Sequence, residues 1–195
     1  MAEVLPFRPQ EEAQERTSQL GMIVFLASWA MMFSGIFFAY GMVRLRAPAW
    51  PPAGVPPFPL LLPAVNTAIL LASSLTLHRG LTRVLAGKAG ALRWWLLATL
   101  ALGLVFLALQ GLVFWTMWQR GLRLAGGIEG AVIYGLSVFH GLHLLAGLGV
   151  VGWLLTGALR NAYSVKRHGA VRLAAMFWHF VDGIWVVMFV TVYVL

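Results

Sequence analysis

The stretch FWHFVDGIWVVMFVTVYVL, residues 177–195, is apolar almost throughout but contains His179 and Asp182. At a spacing of three residues, the two side chains share one face of a helix. A carboxyl group in hydrocarbon needs a hydrogen-bond donor or stays protonated, and the imidazole is the nearest candidate donor. The pair is open to two interpretations, a proton relay or ligand site and a structural hydrogen-bond clasp, of which the clasp is favoured.

Two further histidines, His140 and His143, lie three residues apart in the apolar stretch VFHGLHLLAGL. Imidazole is a common ligand of metals and haem. A transmembrane haem protein needs histidines on paired helices, however, and His140, His143 and His179 do not provide such pairs. We therefore expect hydrogen-bonded interior histidines, and no catalytic, cofactor-binding or metal-binding residue in this chain.

Amide and hydroxyl side chains interrupt two other apolar stretches. Asn66 and Thr67 begin NTAILLASS, and Gln110 lies within FLALQG. Such groups in membranes more often form interhelical hydrogen bonds than take part in catalysis. An indole combines an apolar ring with a polar N–H. Three tryptophans are accordingly expected at a lipid or subunit interface, namely Trp50, Trp178 and Trp185.

These polar side chains are exceptions in a very apolar chain. Of its 195 residues, 61% are hydrophobic and 10% are charged, whereas soluble domains carry about 25% charged residues. The mean hydropathy is +0.84. The absence of cysteine excludes thiolate metal sites, Fe–S clusters, disulfides and C-x-x-C-H haem attachment. Basic residues in the loops explain the net charge of +8, so we expect no nucleic-acid binding.

The polar residues must be positioned by five apolar segments, each long enough to cross a hydrocarbon core of about 30 Å. We predict an all-α polytopic membrane protein, a bundle of five transmembrane helices. An N-terminal arm over residues 1–17 precedes a single domain over residues 18–195. The predicted spans are Ser18–Val43, Leu60–Leu77, Trp94–Met117, Ile128–Leu159 and Leu173–Leu195.

Lys and Arg are distributed unevenly between the two ends of these spans. The N-terminal arm and the second and fourth loops share one membrane face and hold ten basic residues, whereas the opposite face holds four, which are Arg44, Arg46, Arg120 and Arg123. Basic loops remain in the cytoplasm. The pattern therefore predicts a cytoplasmic N-terminus and a C-terminus on the outer face.

Four motifs occur in order along the chain. They are W-P-P at residues 50–52, N-T at 66–67, H-G-x-H at 140–143 and W-H-F-V-D-x-x-W at 178–185. With FLASWAMMFSGIFFAY and FLALQG, they make nearly everything after Leu20 resemble subunit III of the haem–copper terminal oxidases, the cytochrome c oxidase subunit III family. The chain resembles the short, five-helix bacterial form.

The resemblance implies a non-redox accessory subunit of a bacterial inner-membrane complex. Such a subunit packs on catalytic subunit I, binds phospholipid and supports proton uptake during turnover. Haem and copper are implied in the partner subunits I and II, and no cofactor in this chain. The implied reaction of the whole complex is aerobic oxidation of cytochrome c, or of a quinol, with reduction of O₂ to water and proton pumping.

Two positions depart from the family pattern, which usually has a glutamate at each. This chain has Trp29 in the first span and Val113 in the third. The first glutamate is a partner of the histidine that matches His143, so here a water or the Trp29 indole is the expected partner. The departures keep open a subunit III-like role in nitric oxide reductase or another respiratory complex. An independent transporter or haem-binding membrane protein is a further alternative.

Overall fold

The computed structural model describes residues 9–48, 60–120 and 128–194, and the backbone in these ranges is mainly helical. Five of the described helices are long and apolar enough to cross a membrane, which confirms the predicted all-α bundle. A 3₁₀ turn over Ala89–Ala91 precedes the third helix, and a π-helical segment over Val190–Val194 follows the fifth. The helices are α1 (Pro9–Arg46), α2 (Leu61–Leu85), α3 (Leu92–Gln119), α4 (Ile128–Leu159) and α5 (Gly169–Phe189).

The helices extend beyond the apolar spans that hydropathy predicts. The described part of α1 begins at Pro9, inside the predicted N-terminal arm, and α2 continues past Leu77 to Leu85. Backbone hydrogen bonding within a helix does not stop where the side chains become polar, so a helix continues into the headgroup region. Trp50, expected at an interface, lies outside the described residues.

Helix α5 is the central element of the bundle. It packs against α1, α2 and α4, while α2 also packs against α3 and α3 against α4. Within the most apolar 18-residue window, 44% of residues are buried in the α5 span but only 6% in the α1 span. α1 is therefore the peripheral helix, attached along α4 and α5.

The bundle is tightest around Trp178 of α5, whose surface is 1% exposed. A Cβ atom added at Gly147 of α4 would lie 3.1 Å from Cε3 of this indole. One added at Gly103 of α3 would lie 3.2 Å from Cη2 of the indole and 2.7 Å from Cδ2 of Leu148. Small residues allow helices in membranes to approach closely, and these two glycines leave the space that the indole fills.

At its C-terminal end, α1 is tied to the π-helical segment after α5 through a backbone carbonyl. Tyr40 and Arg44 each donate a hydrogen bond of 3.0 Å to the carbonyl oxygen of Thr191, and Arg44 also donates to the Tyr40 hydroxyl at 3.0 Å. Carbonyls near a helix C-terminus lack intrahelical donors. The two side chains therefore satisfy a backbone group and fix the end of the peripheral helix.

Gly147→Ala tests the tight packing around Trp178. We expect the added methyl group to destabilise the purified protein by about 1–3 kcal/mol, the usual effect of overpacking a filled core, measured as a lower thermal midpoint in detergent. The matched control is Gly149→Ala on the same helix, where a Cβ has no neighbour within 4 Å. A Gly147→Ala protein as stable as the control would contradict this packing.

Candidate functional site

The candidate site begins with His179 and Asp182 on α5, which face different surroundings. Asp182 is 3% exposed, whereas His179 is exposed on the outside of the bundle. Within residues 9–48, 60–120 and 128–194, no group forms a hydrogen bond with either carboxyl oxygen of Asp182. The two side chains therefore do not form the direct clasp that their spacing suggested.

Ser74 on α2 is the polar group that approaches both of them. Its Oγ lies 2.5 Å from Nδ1 of His179. The same hydroxyl also lies near the Asp182 carboxyl, but the two groups do not form a hydrogen bond. The ring of His78, one turn further along α2, lies 6.1 Å from that of His179. The structure therefore bonds His179 to α2, and within the described residues it leaves the Asp182 carboxyl without a hydrogen bond.

The two tryptophans of the last motif also bond to α2. The Trp178 indole N–H donates to the Ser73 hydroxyl at 3.1 Å, and the Trp185 N–H donates to the Thr67 hydroxyl at 2.9 Å. Each indole is 1% exposed. Both are thus core residues of this chain, which differs from the expected place at a lipid or subunit interface. The physical reason is that a hydroxyl on a neighbouring helix satisfies each N–H, so the ring has no need of the headgroup region.

A buried amide pair links α2 to α3. Asn66 Nδ2 donates to Oε1 of Gln110 at 3.2 Å, and the two side chains are 0% and 7% exposed. Buried amides require such partners, because an unpaired one costs about 1–3 kcal/mol. Asn66 and Thr67 are adjacent in sequence, so one turn of α2 bonds to α3 on one side and to α5 on the other.

The histidines of α4 occupy two kinds of pocket. Nδ1 of His143 is 2.5 Å from the Phe139 carbonyl oxygen, and the ring meets the Trp29 indole edge-on, with centroids 3.7 Å apart. The indole at the place of the expected glutamate is therefore a direct neighbour of His143. Val113, at the second such place, is fully buried.

His140 is enclosed by aromatic rings. Its ring centroid lies 5.4 Å from that of Trp185 and 6.4 Å from that of Phe106, and its side chain is 2% exposed. In the described part of the chain neither ring nitrogen has a hydrogen-bond partner. The hydrogen bond expected of an interior histidine is present at His143. It is absent at His140 among the described residues, where the two aromatic rings beside the imidazole carry no acceptor for its N–H.

The arrangement is suited to holding helices together. Among the residues that the structure describes, no three or more His, Cys, Asp or Glu side chains come together as a candidate metal site. Bonds from α2 to α5 occur at Thr67, Ser73 and Ser74. The sequence analysis did not predict the interhelical bonds of Tyr40 and Arg44. The pattern that could have indicated them is a tyrosine four residues before an arginine at the end of an apolar span.

Comparison with known proteins extends these observations. A sequence profile described as cytochrome c oxidase subunit III matches residues 10–195. The chain is 36% identical over 176 residues to cytochrome c oxidase subunit 3 of Synechocystis sp., covering 90% of this chain and 74% of that protein. It is 35% identical over 177 residues to the Thermostichus vulcanus protein of the same name, with 90% and 86% coverage. For the Mus musculus protein the identity is 32% over 179 residues, with 89% and 67% coverage.

Thr67→Val tests the bonds between α2 and α5. The substitution keeps the shape of the side chain but removes the acceptor for the Trp185 N–H, so we expect a loss of about 1 kcal/mol in the free energy of unfolding. Thr156→Val is the matched control, because the exposed Thr156 hydroxyl bonds only to the Trp153 carbonyl of its own helix. Denaturant titration of the two variants in detergent measures the difference, and equal losses would show that the indole bond contributes nothing.

Proposed function

Because this chain belongs to the cytochrome c oxidase subunit III family, we propose that it acts as a non-redox accessory subunit that packs on and stabilises catalytic subunit I. The observation that carries this proposal is the match to the family over residues 10–195, which includes all five helices. The chain is part of an oxidase complex. Its own contribution is to assembly and to the lifetime of the enzyme during turnover.

The contacts of the polar residues support a role without a redox centre. His143 bonds to the Phe139 carbonyl and contacts the Trp29 ring. His179 bonds to the Ser74 hydroxyl. The Trp29 ring against His143 and the Ser74 bond to His179 each join two helices, which supports a structural role for both imidazoles. Haem and copper belong, in this proposal, to subunits I and II.

The proposed complex oxidises cytochrome c or a quinol, reduces O₂ to water and pumps protons across a bacterial inner membrane. This chain binds phospholipid at its surface and supports proton uptake by subunit I. Large apolar side chains of α1 are exposed in the isolated chain, among them Val24, Met31 and Phe38. Such a surface requires lipid or protein around it, in keeping with an embedded accessory subunit.

Affinity purification in mild detergent tests the subunit assignment. A tagged chain should bring with it two larger subunits together with haem and copper, while the same chain expressed alone should carry no haem absorbance. Deleting the chain should leave the initial oxidase rate nearly intact but shorten its duration. Co-purified subunits with haem and non-haem iron but no copper would favour the nitric oxide reductase alternative, for which Trp29 and Val113 are the motivating departures.

The proposed orientation places the N-terminus in the cytoplasm and the C-terminus outside, in line with ten basic residues on one face against four on the other. The cysteine-free sequence permits a direct test with single cysteines. Lys88→Cys, between α2 and α3, should react with a membrane-impermeant maleimide only after the cells have been permeabilised. Arg120→Cys, at the other end of α3, should react in intact cells. The reverse labelling pattern would invert the topology.

A further inference from the structure

An open cavity lies at the corner between α2 and α3. Its volume is about 500 Å³, and it is lined by Arg79, Thr82, Arg83, Ala86 and Trp95. The two helices approach closely beside it, since a Cβ atom added at Gly80 would lie 3.1 Å from the Cβ atom of Trp95. The cavity is therefore formed mainly by the packing of two helices, with Ala86 contributed by the residue that follows α2.

The charge of the residues around the cavity is strongly positive. Arg79 and Arg83 both line the cavity, and Lys88 and Arg93 belong to the same hairpin. The sequence contains no Asp or Glu from residue 16 to residue 128, so the hairpin itself supplies no acidic side chain. Like charges brought together without a counterion repel each other, and an anion in the cavity would relieve that repulsion.

The aromatic wall holds one of the cations in place. Cζ of Arg79 lies 5.9 Å from the ring centroid of Trp95, within the range of a cation–π interaction. The Thr82 hydroxyl donates to the Arg79 carbonyl at 2.9 Å, so its proton is already used. The donors left for a ligand are the guanidinium N–H groups, whose planar fork suits the oxygens of a phosphate.

The position along α2 places the cavity at headgroup depth. Arg79 and Arg83 follow directly after the apolar span that hydropathy ends at Leu77, and α2 continues to Leu85. Tryptophan and arginine together are typical of the boundary between hydrocarbon and headgroups. Basic pockets between transmembrane helices on the cytoplasmic side bind anionic lipid headgroups.

We propose that this cavity binds a phosphate-bearing anion through Arg79 and Arg83, with the phosphodiester headgroup of an anionic phospholipid as its ligand. Free inorganic phosphate shares the same chemistry and is distinguished by experiment. The inference deepens the proposed function, since it rests on phospholipid binding by this subunit and gives it a location and a charge preference.

The test uses the full chain in its purified complex, stripped of lipid with detergent. Dioctanoyl phosphatidylglycerol, dioctanoyl phosphatidylcholine and inorganic phosphate are added separately, and binding is followed by native mass spectrometry for the lipids and by competition for phosphate. The test variant is Arg79→Gln/Arg83→Gln. The matched control is Arg160→Gln/Arg167→Gln, which removes the same charge from the other basic loop of the same face.

We expect phosphatidylglycerol to bind the wild type more tightly than phosphatidylcholine, and to bind the test variant roughly thirtyfold more weakly while the control is nearly unchanged. Arg79→Lys/Arg83→Lys should bind more tightly than the Gln variant but more weakly than the wild type, because it keeps the charge and loses the planar fork. Phosphate that displaces the lipid and binds as tightly would identify a free-anion site instead. Equal binding of the two lipids to the wild type, or equal loss in test and control variants, would overturn the proposal. None of these three results affects the subunit assignment as long as subunits I and II still co-purify.

Discussion

Hydrocarbon offers no solvent to a buried N–H group, and this constraint fixes how α2 and α5 pack. The two indoles Trp178 and Trp185 are seven residues apart, two turns of a helix. Their acceptors, Ser73 and Thr67, are six residues apart and run in the opposite direction along α2. Sliding α5 by one turn would leave both N–H groups unpaired, so the two bonds together define one register for an antiparallel pair of helices.

The same indole connects hydrogen bonding to shape. While the Trp178 N–H bonds to Ser73, the six-membered ring of the indole lies against Gly103 of α3 and Gly147 of α4, where any side chain would displace it. The Trp178–Ser73 hydrogen bond therefore depends on both glycines, although neither of them takes part in it. Both the hydrogen bonding of a buried N–H group and the close packing of the helices thus depend on the Trp178 side chain.

The five helices followed directly from the length of the apolar runs, because crossing a bilayer leaves few other solutions. The partners of the polar residues did not follow. His179 and Asp182 are separated by about 60° around a helix, which is enough for one to lie inside the bundle and the other outside it. Ser74 could not be identified as their neighbour, since its proximity depends on how α2 packs against α5. The indoles were expected at a surface because the sequence does not show which hydroxyls they will meet.

The attachment of α1 to α4 and α5 has a consequence for the order in which the protein is made. Helix α1 precedes α2–α5 in the chain and packs mainly against α4 and α5, and Arg44 bonds to a carbonyl 147 residues further along the chain. Helices α2 and α3, by contrast, form a local hairpin that can assemble as soon as both are inserted. During synthesis α1 is therefore inserted in the bilayer before α4 and α5 are made, and until then lipid or another protein must cover its surface. A chaperone or partner subunit that engages α1 would act early in assembly, before the remaining helices close on it.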